Sequence, residues 1–152
     1  MKKNLGALWL AVIVAVLASA VRGTGAVRAT EITLVSAEAV FETTTNDKDH
    51  DSLVTVTVKR GNTVIAAASN IGGHWNDHST HAVNLDVGGG WTRSELASRT
   101  KTELSMATNG NDKWEFNYVL RLNWSDGTRT EQRFDGLVLT QDDPFKALAV
   151  GL

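Results

Sequence analysis

A repeated alternation of apolar and polar residues, with a period of two, most constrains how this chain can fold. It is clearest in residues 114–124, where Trp114, Phe116, Tyr118, Leu120, Leu122 and Trp124 alternate with mostly polar neighbours. The same period recurs in residues 35–41, 54–58 and 83–87. Because successive side chains of a strand point to opposite faces, these segments predict β-strands that each bury one face.

Turn-forming residues separate these segments. Arg60-Gly61-Asn62 and Asp126-Gly127 favour tight hairpins, and Asp135-Gly136 predicts a further turn. Seven or eight short strands with such spacing are typical of a β-sandwich. We therefore predict an all-β fold, an antiparallel β-sandwich of seven to eight strands, over residues 30–143. Residues 91–100 are expected to hold a helical turn or a loop, and residues 144–152 a C-terminal tail that frays or caps the sandwich.

The first residues have the features of a targeting segment. Lys2 and Lys3 precede an uncharged apolar run over residues 5–17, and Ala18-Ser19-Ala20 is a small-residue cleavage site. The run is short for a membrane span, although a retained anchor is the alternative. We predict a signal peptide over residues 1–20, a linker over residues 21–29, and a secreted or periplasmic protein.

The charge and the absence of cysteine exclude several functions. Without residues 1–20 the chain loses two lysines and no acid, so its formal charge moves from −2 to −4. A mildly acidic chain predicts no nucleic-acid partner, since such binding needs clustered Lys and Arg. With no cysteine in the sequence, thiol catalysis and zinc–cysteine or iron–sulfur sites are excluded.

An acidic loop is the main candidate for a functional site. Asp47, Asp49 and Asp51 occupy alternate positions directly before the strand that begins near Leu53. Carboxylates this close repel one another unless a cation, hydrogen bonds or water offsets their charge. Oxygen ligands of this kind suit Ca²⁺. The alternative is a solvated polar turn with no ligand.

Two further loops carry oxygen-bearing side chains, and strand ends are where a sandwich gathers its loops. If residues 46–51, 70–81 and 109–112 meet at one end, they offer the six to eight oxygens that Ca²⁺ takes. The predicted ligands are Asp47, Asp49, Asp51, Asn70, Asn76, Asp77, Asn111 and Asp112. A helix–loop–helix calcium site is excluded, because Ser52 and Val58 stand where that motif needs Gly and Glu.

Histidine and serine chemistry gives weaker alternatives. His74, His78 and His81 lie close in sequence, but nothing predicts the helix that would make their spacing a zinc or copper site. Ser79 or Ser94 is a candidate nucleophile with His78 or His81 as base, yet neither serine lies in a nucleophile motif. We therefore expect a protein without catalytic activity, with a secreted hydrolase as the less favoured alternative.

Two tryptophans lie in glycine-rich loops rather than in alternating strands. Trp75 and Trp91 either pack over the sandwich end or stay exposed to contact a ligand. An exposed Trp75, with His74 beside it, would anchor the protein to lipid or stack on a sugar ring. Trp75, Trp91 and His74 are therefore the predicted ligand-contacting residues.

Residues 32–124 resemble the PLAT domain, the β-sandwich of lipoxygenases, lipases and clostridial phospholipase toxins. Residues 43–58 are similar to its Asp-bearing early loop and strand, with Asp51 matching the family's Asp, and residues 69–81 to its middle loop. Asn109-Gly110-Asn111-Asp112-Lys113-Trp114 is similar to its Gly-x-Asp-Trp late loop. The chain departs from the family in its three closely spaced loop acids and its extra C-terminal hairpin.

The resemblance implies a Ca²⁺-assisted domain that binds a lipid surface or a partner protein. Such domains usually accompany a catalytic domain, and none is evident in this sequence, so the resemblance implies a free-standing adaptor. A carbohydrate-binding sandwich, with Trp75 and Trp91 stacking on sugar and a structural Ca²⁺, is the alternative binding function.

Overall fold

The computed structural model describes residues 30–152, and the predicted signal peptide and linker lie outside them. It confirms the all-β class, with eight antiparallel strands in residues 30–152. They are β1 (Leu34–Thr43), β2 (Leu53–Arg60), β3 (Thr63–Ile71), β4 (Thr80–Val87), β5 (Thr100–Ala107), β6 (Lys113–Trp124), β7 (Arg129–Thr140) and β8 (Phe145–Ala149).

The strands form one nearly closed sheet in the order β7-β6-β1-β4-β3-β2-β5-β8. Four-stranded halves, β7-β6-β1-β4 and β3-β2-β5-β8, face each other across the core. A short pairing of β3 with β4 joins them, at Ala66 with Val87 and Ala67 with Asp86. The two end strands, β7 and β8, have no strand partner on their outer sides within the described residues. The two halves of the sandwich are therefore hydrogen-bonded to each other along one side, through β3 and β4, and, in the described part of the chain, not along the other, between β7 and β8.

Two segments differ from the sequence prediction. The expected turn at Asp135-Gly136 is a bulge within the continuous strand β7. The register passes from Tyr118 opposite Phe134 to Phe116 opposite Leu137, so β7 carries one extra residue there. Gly136 adopts φ 66°, which glycine reaches without strain, and its amide donates to Asn117 Oδ1 at 2.9 Å.

The segment predicted to be a C-terminal tail instead adds a strand to the sheet. Its residues form β8, which pairs with β5 from Ser105 opposite Phe145 to Lys101 opposite Ala149. The free backbone groups of β5 explain this, because an unpaired edge accepts a further strand. The folded domain therefore extends beyond its predicted end at residue 143.

One short helix, α1 (Arg93–Leu96), lies between β4 and β5. Thr92 caps it, and the Glu95 side chain accepts from the Thr92 backbone amide at 2.9 Å, which completes a capping box. This is the helical turn that the polar segment predicted. Within residues 30–152, no helix is long and apolar enough to cross a membrane.

The alternating residues of the central strands form the core, as the period of two predicts. Phe41 of β1 is fully buried and contacts the rings of Trp114, Phe116 and Tyr118, with centroids 5.3 to 5.7 Å apart. The Tyr118 hydroxyl lies 3.0 Å from Thr102 Oγ1, so its polar group is paired inside the core. This aromatic cluster supports the loops at the end of β1.

Replacing Leu120 with alanine tests the register of the longest predicted strand. Leu120 is 1% exposed, so its truncation is expected to lower the free energy of unfolding by about 2–5 kcal/mol through lost burial and a cavity. Urea denaturation measures the loss. Asn123→Ala, on the outer face of the same strand, is the matched control and should change the value far less. A loss below about 1 kcal/mol for Leu120→Ala would contradict the register.

Candidate functional site

The first and middle loops meet at one end of the sandwich, as expected. The backbone amides and carbonyls of Lys48 and Trp75 form a reciprocal pair of hydrogen bonds, each 3.1 Å long. The side chains of Asp47 and His74 are joined at 2.6 Å from Oδ2 to Nε2. Residues 46–51 and the loop between β3 and β4 are thus held together by backbone and side-chain contacts.

The late loop joins the same end of the molecule. Asn109 Nδ2 donates to Asp51 Oδ2 at 3.0 Å, and the Glu115 amide donates to the carbonyl of Asn46 at 3.1 Å. The acidic loop therefore contacts both of the others, and we call this region, residues 46–51, 72–79 and 109–112, the loop end.

A lysine, rather than open space, lies inside the acidic loop. The Lys48 side chain is fully buried, and its ammonium donates to the carbonyls of Ser52 at 2.6 Å and Asp49 at 2.9 Å. The ammonium also lies 5.2 Å from the centre of the Trp75 ring, within cation–π range. The chain thus places its own cation where the sequence predicted Ca²⁺.

The Lys48 charge is set by opposing effects. Burial lowers the pKa of the Lys48 ammonium, whereas the carboxylates of Asp112, Asp49 and Asp51 favour its charged form.

Near this ammonium, Ser52 Oγ and Asp112 Oδ2 are buried and have no hydrogen-bond partner within residues 30–152. Unpaired buried oxygens of this kind are costly and indicate a place for water or an ion.

A polar groove of about 300 Å³ lies between the late loop and the end of β7. Its lining residues are Asn111, Asp112, Lys113, Thr140, Gln141 and Asp142. Asp112 is 8% exposed, whereas Asp142 is exposed to solvent. The groove therefore brings a buried and an exposed carboxylate together with amide and hydroxyl oxygens.

The lysine that lines the groove is engaged elsewhere. Lys113 Nζ lies 2.5 Å from Glu115 Oε1. Hydrogen bonds from Lys113, Thr45 and Asn46 lower the pKa of Glu115 to about 2, so this carboxylate is ionised at neutral pH. The Lys113 charge is thus offset by Glu115 and not by the carboxylates of the groove.

The remaining predicted ligands do not converge on one point. Asn70 lies in β3 with φ 55°, and its exposed side chain bonds to no other predicted ligand in the described part of the chain. Asp77 is exposed, and Asn76 uses its backbone carbonyl to accept from Ser79. Among residues 30–152, no three acidic or histidine side chains are grouped closely enough to hold a metal ion. The single cluster expected from the three loops is therefore not formed.

The predicted contact role of Trp75 is not compatible with its position. Trp75 is 4% exposed, stacks on His81 with ring centroids 4.7 Å apart, and contacts Phe41 and Trp114 at 5.2 and 5.1 Å. It packs against side chains of β1, β4 and β6 at the end of the core. His74 remains exposed, but its ring is engaged by Asp47.

Trp91 lies at the other end of the sandwich. Its carbonyl accepts from the amide of Leu34, the first residue of β1, whereas the loop end follows Thr43, the last residue of that strand. Ten residues of strand separate the two ends by roughly 30 Å. Trp75 and Trp91 therefore cannot form one stacking surface, contrary to the carbohydrate-binding alternative.

Ser79 and His81 do meet, as the hydrolase alternative required. Their Oγ and Nε2 atoms are 3.0 Å apart, and burial, with a smaller effect from Lys48, lowers the pKa of His81. However, the Ser79 hydroxyl donates to the carbonyl of Asn76 at 2.6 Å. Its proton therefore points away from the histidine, and the contact is better explained as a loop-stabilising bond.

Sequence reasoning misses two parts of the site. It misses Lys48 because lysines are rarely fully buried, and nothing in the sequence Asp47-Lys48-Asp49-His50-Asp51 marks this lysine as internal. Sequence reasoning also misses Thr140, Gln141 and Asp142, because the last strand is expected to end there. The acidic pair Asp142-Asp143 is the only available signal.

Comparison with known proteins yields no family model, no curated protein sequence and no solved structure that matches this chain. The PLAT resemblance therefore stays a prediction, and the function must be inferred from the residues of this chain alone.

Proposed function

We propose that this chain is an exported binding domain without catalytic activity that uses Ca²⁺ to dock its loop end to a lipid surface or a partner protein. The ion would lie in the groove between the late loop and residues 140–142, and not at the centre of the acidic loop. Lys48 already offsets the charge at that centre. One observation carries this proposal: within the described residues, Asp112 lines a polar groove, and its Oδ2 atom is buried without a hydrogen-bond partner.

The donor chemistry of the groove fits a hard cation. Asp112 and Asp142 supply carboxylates, and Asn111, Gln141 and Thr140 supply neutral oxygens. One oxygen from each gives five ligands, which is fewer than the six to eight that Ca²⁺ takes. The missing positions would be filled by water or by an oxygen of the bound phosphate or carboxylate. A Ca²⁺ ion can bridge to a ligand only if its site leaves coordination positions open in this way.

Weak affinity is expected for the ion alone. Lys48 offsets part of the Asp112 charge, and Asp142 is exposed to water. Binding should therefore fall in the range of extracellular calcium modules, about 10⁻⁴ to 10⁻³ M. Lipid phosphate or a partner carboxylate would complete the coordination and raise the apparent affinity.

Calorimetry and thermal unfolding with Ca²⁺ test the groove. At one hundred times the dissociation constant, Ca²⁺ should stabilise the fold by about 2.7 kcal/mol. Asp142→Asn removes one ligand from an exposed position and should weaken binding about tenfold, or 1.4 kcal/mol. Asp77→Asn, which makes the same charge change outside the groove, should leave binding unchanged.

Other outcomes would place the ion elsewhere or refute the calcium proposal. If Asp51→Asn weakens binding and Asp142→Asn does not, the ion lies at the acidic loop. If millimolar Ca²⁺ changes neither heat nor melting temperature, the calcium proposal is wrong. Sedimentation with anionic vesicles and with insoluble polysaccharides, each with and without chelator, then separates a lipid from a carbohydrate ligand.

A further inference from the structure

We propose that Asn109 is a site of spontaneous deamidation, and that its conversion to aspartate or isoaspartate loosens the contact between the late loop and the acidic loop. Asn109 is the one asparagine in the sequence that is followed by glycine. It is also the residue whose side chain joins the late loop to Asp51. Modification at this position therefore changes a loop contact and not merely a surface charge.

The backbone around Asn109 is open to the reaction. Asn109, Gly110 and Asn111 are all exposed at the surface of the loop end. Gly110 adopts φ 109°, and no atom lies within 4 Å of the place where a Cβ would stand. Within the described residues the Gly110 amide donates no hydrogen bond. The nucleophilic nitrogen is thus neither shielded by a side chain nor held by an acceptor.

The reaction needs only water. The Gly110 backbone nitrogen bonds to Asn109 Cγ and gives up its proton, the bond from Cγ to Nδ2 breaks, and ammonia leaves. Water then opens the resulting succinimide. Opening at the side-chain carbonyl gives aspartate, and opening at the backbone carbonyl gives isoaspartate. The bond from Asn109 to Asp51 is an exposed hydrogen bond, and an exposed bond of this kind is too weak to block the step.

Other positions in the molecule are less suited to this reaction. Asn76, Asn111 and the remaining asparagines precede residues with side chains, which crowd the attacking nitrogen. Asp126 and Asp135 precede glycine, but an ionised carboxylate is a poor electrophile. Asp126 accepts from Thr128 and Asp135 from Arg133, which holds both carboxylates in place.

Deamidation replaces the hydrogen-bond donor of this contact with a negative charge. Asn109 now donates to the Asp51 carboxylate, whereas aspartate at position 109 would place a second carboxylate against it. Like charges at this distance repel one another and can no longer share a hydrogen bond. Since the contact is exposed, salt should screen the repulsion.

Peptide mapping by mass spectrometry, after the purified chain is incubated at mildly alkaline pH, tests the proposal. The peptide that contains Asn109 should gain one mass unit and split into aspartate and isoaspartate forms. It should do so roughly tenfold faster than any other asparagine peptide, because only Gly110 leaves the attacking nitrogen uncrowded. Persistence of unmodified Asn109 while other asparagines convert would overturn the assignment.

Two variants test the structural consequence. Asn109→Asp imitates one product and should lower the melting temperature, with a larger shift at low than at high ionic strength. Asn109→Gln keeps an amide but slows the reaction, and should stay unmodified with little change in melting temperature. If Asn109→Asp melts like the wild type at low salt, the contact with Asp51 is not loosened. Both readouts are independent of Ca²⁺ when measured in chelator.

Discussion

Replacing Lys48 with methionine is expected to lower the free energy of unfolding by about 3–5 kcal/mol. Methionine keeps the apolar stem but removes the ammonium, which donates to the carbonyls of Asp49 and Ser52. It also leaves the buried Asp112 without the cation that faces it. Equilibrium urea denaturation measures the change.

Two further variants show whether the lost charge causes this effect. Lys113→Met removes an exposed lysine of the same region and should cost at most about 1 kcal/mol, since surface ion pairs contribute little. Adding Asp112→Asn to Lys48→Met should restore part of the lost stability, because the uncompensated carboxylate is then neutral. A single Lys48→Met variant as stable as the wild type would show that the ammonium does not stabilise the loop end.

Trp75→Ala is expected to cost about 3–5 kcal/mol, as truncations of large buried aromatic residues do. The indole contacts Phe41 of β1, Trp114 of β6 and His81 of β4. Its loss should also weaken the near-ultraviolet circular dichroism of the aromatic cluster. Urea denaturation gives the free energy.

His74→Ala is the matched control, because it changes the neighbouring residue at an exposed position. It should cost at most about 1 kcal/mol, the usual limit for an exposed ion pair. If Trp75→Ala were as stable as the wild type but lost lipid or sugar binding, Trp75 would be an exposed contact residue and its buried position would be incorrect.

Most of the fold could be predicted from the period of two. In β6 every inward residue is aromatic or aliphatic, so the strand, its buried face and its core residues can be predicted directly from the sequence. The alternation in β8 is weaker because apolar residues occupy both of its faces, as Phe145 and Leu148 illustrate. Its strand depends on the free edge of β5, which is a tertiary property and leaves no local pattern.

The candidate site is less predictable than the fold. The meeting of the three loops is expected from their positions at strand ends, and the contacts of Asp47 and Asp51 agree with it. The internal position of Lys48 is not, because it depends on the carbonyls that the loop turns inward. Charge patterns predict repulsion, but the groups that offset it are fixed only by the folded backbone.

The position of β1 in the sheet has a consequence for how the chain folds. This first strand lies between β4 and β6, and Ala37 pairs with Leu85 on one side and with Leu122 on the other. When β1 leaves the ribosome, neither neighbour has yet emerged. Folds dominated by such distant pairings form slowly, typically over milliseconds to seconds. The N-terminal half therefore cannot complete its sheet until nearly the whole chain has emerged.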